Sequence, residues 1–321
     1  MPTKLWTVLA LTLSLVLLAC GSSTGPVEDE DPRWSGPTRS LTLRRTFDLA
    51  NKSTTEPITV RFDTPDIAPS GNVLEAHRTT SHPQRGLGQA ANGMRRVEFE
   101  VQLPPGGETT LEVTWELILR RFDALAYEGP PPTLNPADES AYLASSETLQ
   151  SEHASIRDAA AQITGGVADR LSKIEAIVQF VRGHLDYELQ TENRGALWAL
   201  ENGRGDCTEY ATLGVALARA AGIPARVTGV ENMVASSGSS TYDNHNAAEF
   251  WLDGVGWIPV DINYSQSPVG VLPTRCAVLR WGLMTDRDRE SLSVAWYTWR
   301  TVSGPTGQLE VRQMGHSWHE R

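Results

Sequence analysis

Gly203–Arg226 reads GRGDCTEYATLGVALARAAGIPAR, and the fold turns on how this stretch is read. Two glycines and an acid lead into Cys207. From there Tyr210, Leu213 or Gly214, Leu217 and Ala221 recur at helical spacing, so the pattern predicts a buried helix with Cys207 in its first turn. Asp206 stands where an N-cap belongs, with Glu209 three residues on as in a capping box, and Gly222-Ile223-Pro224 closes the far end. A thiol at a helix start feels the positive end of the helix dipole, worth roughly 0.3 to 1 kcal/mol toward thiolate. Since a free thiol titrates near ~8.5, that gain alone is too small, and an efficient nucleophile also needs an imidazole beside it.

The imidazole is offered downstream by Asn244–Asp261, NHNAAEFWLDGVGWIPVD. This stretch predicts a strand, a tight turn at Asp253-Gly254-Val255-Gly256 and a second strand, with His245 near the outer end of one and Asp261 near the end of its neighbour. A carboxylate holding the ring by one nitrogen fixes the tautomer and supports the imidazolium. The other nitrogen is then left to face Cys207.

Gly205-Asp206-Cys207-Thr208-Glu209, then Ala211 and the run ALARAAGIPAR, resemble the cysteine motif of the bacterial transglutaminase-like superfamily, which is related to papain-like cysteine proteases. His245, Ala248-Glu249, Gly256-Trp257-Ile258-Pro259 and Asp261 resemble its histidine and aspartate motifs, in the same order and spacing. The resemblance covers roughly residues 140 to 280. It implies an α+β fold, a papain-like core of helices packed on an antiparallel sheet, with Cys207, His245 and Asp261 as its catalytic triad. It also sets Tyr187 near the site, where its hydroxyl is the candidate second oxyanion donor beside the backbone N–H of Cys207. The chain departs from the family at Tyr210, where histidine is frequent, at Ala247, where an aromatic is frequent, and at Asp261-Ile262-Asn263, where Asp-Pro-Thr is frequent. The triad positions are untouched by these changes.

The chemistry so implied is thiol-dependent acyl transfer on amides through a thioester: a peptidase, amidase or deamidase if water resolves the intermediate, a protein-crosslinking transglutaminase if a lysine amine does. Protein or peptide substrates are expected, and neither cofactor nor metal. The alternative is a catalytically idle domain acting as an envelope protein-binding module, or a structural lipoprotein with an incidental thiol. Other chemistries find no footing, for the chain lacks CxxC, HExxH and a Walker lysine. Cys207, His245 and Asp261 as zinc ligands fit less well than as a nucleophilic set. The arylamine N-acetyltransferases share the residue order but need a coenzyme foreign to an exported protein.

Export is read from the start of the chain. Residues 1–19 carry one lysine and then a mostly apolar run too short for a stable span, ending Leu17-Leu18-Ala19-Cys20. This predicts a signal peptide, and the ending resembles a bacterial lipobox, which implies lipid attachment at Cys20, with periplasmic or cell-surface placement and the outer membrane favoured by Gly21. Several acyl chains anchor stably where one does not. Residues 20–37, rich in Ser, Gly, Pro and acids, read as a flexible stalk. Loss of residues 1–19 removes Lys4 and takes the formal net charge from −11 to −12, which excludes nucleic acid as a natural partner. The chain has three cysteines, too few for a disulfide framework. With Cys20 and Cys207 accounted for, Cys276 is expected as a buried free thiol rather than as a partner of Cys207.

Residues 38–125 alternate with period two, as in Leu41, Leu43, Phe47 and Leu49, in Val97, Phe99, Val101 and Leu103, and in Leu111, Val113, Trp115 and Leu117. They predict a small β-sandwich-like domain, with a hairpin at Pro104–Glu108, a strand at Ile58–Phe62 and a solvated loop over 78–94 near His77 and His82. Residues 126–321 are assigned to the catalytic domain. Within it, helices are expected over Ala154–Ile163 and from Leu171 to His184, His184 serving structure, with Trp198 behind Tyr187. Strands over 276–283, 292–301 and 309–314 are expected to complete the sheet behind the hairpin. Trp296, Tyr297 and Trp299 are read as core in preference to a substrate groove, and His316 and His319, in a polar tail, receive no role.

Overall fold

A computed structural model of the chain describes residues 31–89, 95–233, 243–278 and 297–321. The expected leader, Cys20 and the stalk through residue 30 lie outside these. Six strands come first: β1 (Trp34–Asn51), β2 (Ile58–Pro65), β3 (Val73–Thr80), β4 (Gln84–Gln89), β5 (Arg95–Leu103) and β6 (Glu108–Asp123). Their alternating apolar residues meet in one core, where Leu41, Leu43 and Phe47 of β1 and Val60 of β2 join Phe99 of β5 and Trp115 of β6. Residues 34–37, read as stalk, belong to β1, because the half-buried Trp34 ring packs on a second core, shared with Phe122 and the helices that follow, and its indole donates to the Gly71 carbonyl at 2.9 Å. Much of the expected loop over 78–94 is also strand. Among the described residues β3 pairs only with β6 and β4 only with β5, so both are edges there, and their polar sequences hide the alternation while keeping the edges soluble.

The helices follow: α1 (Pro136–Leu143), α2 (Ala154–Thr164), α3 (Arg170–His184), α4 (Gly195–Asn202) and α5 (Cys207–Ala220), with a short parallel pair, β7 (Asp186–Tyr187) and β8 (Arg204–Gly205), around α4. α5 is buried on all sides from Glu209 to Arg219 and is the helix around which the others pack. Next come β9 (Ala225–Asn232), β10 (Asp243–Leu252) and β11 (Gly256–Val260), then β12 (Val271–Leu272) and β13 (Cys276–Val278). β11, β10, β9 and β13 form one antiparallel sheet in that order. With α5 against its β9 and β10 and the other helices gathered around α5, this is the expected α+β arrangement of helices on an antiparallel sheet.

The last strands go elsewhere than expected. β14 (Thr298–Ser303) pairs with β2, and β15 (Leu309–Glu320) runs along β1 from Asn51 back to Leu41. They complete the sandwich rather than the sheet behind His245. The 18-residue β1 is longer than any strand of the other sheet, and Leu309 and Trp318 of β15 add to the sandwich core. Tyr297 stacks on Phe62 there at 5.6 Å, as a core residue, while Trp299 is 44% exposed and Trp296 lies outside the described residues. His316 and His319 sit in β15, not in a tail.

The chain therefore leaves the sandwich, builds the helical body and returns, and Asp31–Arg321 form one compact unit. A buried ion pair ties the two cores together: Arg45 of β1 meets Glu231 of β9, both side chains wholly inaccessible to solvent. Arg45 also donates to Thr64 Oγ1 and the Pro65 carbonyl, and its guanidinium lies 4.8 Å over the Trp115 ring. Among the described residues no helix is long and apolar enough to cross a membrane.

Candidate active site

Local sequence builds the helix start on which Cys207 sits. The Asp206 carboxylate accepts from Thr208 N at 2.8 Å, and Glu209 returns the favour by accepting from Asp206 N at 3.1 Å, the reciprocal capping box. The same two carboxylates reach outward, Asp206 to Gln190 N at 3.1 Å and Glu209 to Arg194 N at 2.9 Å. Glycine is required at Gly205, since a Cβ there would collide with the Glu209 side chain that completes the cap. Burial lifts Glu209 to about 7 despite the N–H donated by Arg194, and the neighbouring Asp206 charge adds to the rise. Cys207 itself is a half-buried free thiol, unbridged to any other cysteine. Cys276 begins β13, and its side chain lies outside the described residues.

Register brings the other two groups to the thiol. Ala248 pairs with Val260, so Asp261 falls opposite Ala247, two residues along from His245 on the same face. His245 Nε2 lies 2.8 Å from Asp261 Oδ1, and the Cys207 side chain is among the groups that act on the His245 ring. His245 and Asp261 are 8% and 6% exposed, so only the thiol end of this chain of contacts opens toward solvent. Burial opposes a charge on His245, but the hydrogen bonds to Asp261 and Cys207 outweigh it and lift the imidazole to about 10. Burial likewise opposes a charge on Asp261, yet the bonds from His245 and Arg275 hold its carboxyl below the ordinary value.

Gly214 of α5 faces these strands closely, a Cβ there meeting the Cδ1 tip of Ile262, the residue after Asp261. Asn246, next to His245, donates to Thr208 Oγ1 at 3.0 Å and fastens the strand to the first turn of the helix. Arg182 of α3 donates to the carbonyl oxygens of Asp261, Ile262, Tyr264 and Ser267 at 2.8 to 3.1 Å, and Arg275 donates to Asp261 Oδ2 at 2.8 Å. No motif or spacing in the sequence points to Asn246, Arg182 or Arg275. Their partners are fixed by tertiary structure, and an arginine in a polar stretch looks the same whether it is solvated or inserted among carbonyls.

The remaining candidates can be placed as well. Tyr187 lies on β7 opposite Gly205, two residues before Cys207, with its side chain 55% exposed. Tyr210, where the family often has histidine, donates its hydroxyl to the Leu185 carbonyl and so ties α5 to the segment leading into Tyr187. Trp198 is flanked by the guanidinium groups of Arg194 and Arg204, each 5.7 Å from its ring. His184 stacks on Phe180 and bonds through Nε2 to the Leu200 carbonyl at 2.8 Å, a structural placement. His82 bonds to Ser81 and Thr109, and His77 is exposed beside Glu75. Among the described residues no three His, Cys, Asp or Glu side chains gather as a metal site requires.

Comparison with known proteins bears on this geometry. Residues 157–262, which include Cys207, His245 and Asp261, match the family model of the transglutaminase-like superfamily, so the chain carries a domain of that superfamily. Among solved structures, a "Putative Cysteine Protease" from Cytophaga hutchinsonii aligns over 88% of this chain and 99% of its own, with TM-score 0.55 and 17% identity. That likeness is one of fold. The periplasmic domain of TgpA from Pseudomonas aeruginosa aligns over 70% of this chain and 88% of its own, with TM-score 0.38 and 18% identity. No protein of curated function matches the sequence.

Proposed function

We propose that this transglutaminase-like domain is a thiol-dependent acyl-transfer enzyme acting on amides of proteins or peptides, with Cys207 as nucleophile, His245 as general acid and base and Asp261 as its orienting carboxylate. The observation that supports the reading is a buried imidazole bonded to a buried carboxylate and acted on by a half-buried thiol at a helix start. A raised imidazole is charged at neutral pH, and a charged imidazole is the partner a thiolate needs.

In this mechanism the Cys207 thiolate attacks the carbonyl carbon of a glutamine side chain or a peptide bond. Negative charge gathers on the oxygen, where the Cys207 backbone N–H at the start of α5 is one donor and Tyr187 the second. The C–N bond breaks as His245 gives its proton to the departing amine, leaving a thioester. His245, now neutral, takes a proton from water or from a lysine amine as that nucleophile attacks, and the thiolate is restored. Asp261 stays ionised and keeps the ring in one tautomer throughout. With lipid on Cys20, the body would stand at the cell envelope, and envelope proteins and peptides would be its substrates.

The test is to incubate purified protein with casein and a fluorescent primary amine while measuring amine incorporation, ammonia release and new amino termini. Product in any channel that disappears in Cys207→Ser supports the reading and says which nucleophile resolves the thioester. Equal signals from wild type and Cys207→Ser in all three channels contradict it.

A further inference from the structure

Asp261 has two carboxylate oxygens, and the structure gives them different work. Oδ1 faces His245 Nε2 at 2.8 Å and also accepts from Tyr264 N at 3.3 Å, whereas Oδ2 accepts from Arg275 at 2.8 Å. Arg275 is itself held, its guanidinium lying 4.0 Å over the ring of Tyr264, a residue of the turn that follows Asp261. A carboxylate can rotate about its last side-chain bond and exchange its oxygens at little cost unless both are engaged. Arg182 cannot prevent that rotation, because it grips only backbone carbonyls. It fixes where Asp261 is. Something else must fix how its carboxylate is turned.

We propose that Arg275 is a positioning residue of the Cys207 site, securing Oδ2 of Asp261 so that Oδ1 aims His245 at the thiol. The proposal rests on the catalytic reading of Cys207, His245 and Asp261. It also places a second positive charge, beside that of His245, against the buried Asp261 carboxylate. The charged groups facing Asp261 are His245 from β10, Arg275 from the approach to β13, Arg182 from α3 and, through His245, the thiol of α5.

A positioning role and a purely electrostatic one predict opposite signs. If Arg275 contributed only its charge, its removal would make the site more negative, stabilise the imidazolium and move the His245 titration to higher pH. If it orients Asp261, its removal loosens the His245 bond and moves that titration to lower pH.

The experiment is a nitrogen-15 NMR titration of histidine-labelled protein, with the His245 signal assigned by its loss in His245→Gln. It is run beside iodoacetamide alkylation of Cys207 at pH 6.5, followed by peptide mass spectrometry. For Arg275→Gln the titration midpoint of His245 falls by about one pH unit and alkylation slows up to about tenfold, while Arg275→Lys recovers part of each. A midpoint that stays or rises in Arg275→Gln, or an Arg275→Lys indistinguishable from wild type in both measurements, overturns the proposal. Should Arg275→Gln fail to fold, Arg275→Lys decides alone, a lower midpoint than wild type supporting the proposal and an equal or higher one overturning it. Wild-type alkylation no faster than that of His245→Gln would sink the catalytic reading itself, whereas a fast, His245-dependent thiol with an unaffected Arg275→Gln would sink only the role of Arg275.

Discussion

Of the buried acid–base pairs on the hairpin sheet, two do different things. Glu231 of β9 meets Arg45 with neither side chain reaching solvent, and the pair joins the sandwich to the helical body. Asp261 meets His245 and Arg275 just beyond β11, nearly as deeply buried, but a half-buried thiol at the start of α5 also acts on the imidazole. Burial of charge is therefore not what marks a site. A permanently charged arginine locked to a carboxylate has no proton to exchange at neutral pH, whereas an imidazole between a carboxylate and a thiol can give a proton and take it back. The first pair fixes architecture. The second lies beside a thiol that is partly open to solvent.

The comparison can be broken at either pair. On the Asp261 side, Cys207→Ser should cut turnover of any amide substrate by at least about 10³-fold while leaving the melting temperature close to wild type, since a half-buried side chain at a helix start is replaced by one of similar size. Product formation and thermal melts on the same preparation check both halves, and retained turnover would remove the thiol from the mechanism. On the Glu231 side, Arg45→Ala strands a buried carboxylate and should destabilise the fold by about 3 to 5 kcal/mol. The folded fraction should alkylate at Cys207 at the wild-type rate, and urea melts with labelling at low denaturant test this.

How much of this the sequence discloses depends on how each part is held. Cys207, His245 and Asp261 lie in stretches whose spacing repeats a family pattern, and the helix and hairpin that carry them have local signals: the Asp206 cap, the apolar face of α5 and the glycine turn before β11. The long sandwich strands β1, β5 and β6 also announce themselves by alternation. What stays hidden is decided by neighbours distant in the chain. β15 pairs with β1 across more than 250 residues of sequence, β3 and β4 are polar because they are edges, and Arg45, Glu231, Arg182 and Arg275 find their partners only once the body is folded. A period of two reveals a strand but not which sheet it joins.

A third carboxylate lies between the extremes. Glu209 caps the helix of the candidate nucleophile and is lifted to about 7 by burial, above an ordinary glutamate. A folded-state value raised in this way means a contribution to stability that is full below about pH 4.5 and lost as pH rises through about 7. In Glu209→Gln the decline over that window should flatten by on the order of 2 kcal/mol, read from denaturant melts at pH 4.5 and 7.5. An unchanged slope would assign the decline to other groups. At the small end, Arg204 and Glu188 form a surface pair at 3.1 Å with both side chains about half exposed. Glu188→Gln should change stability by less than about 1 kcal/mol, and a larger loss would mean that the β7–β8 segment beside the site depends on it.

The central claim is that the imidazole on β10 activates the thiol on α5, and the rate of Cys207 alkylation by iodoacetamide at pH 6.5 measures this most directly. In wild type that rate should exceed the rate in His245→Gln by about 10²-fold or more, with the fold of both proteins intact. Equal rates in the two would mean that the thiol and the imidazole are neighbours without being partners.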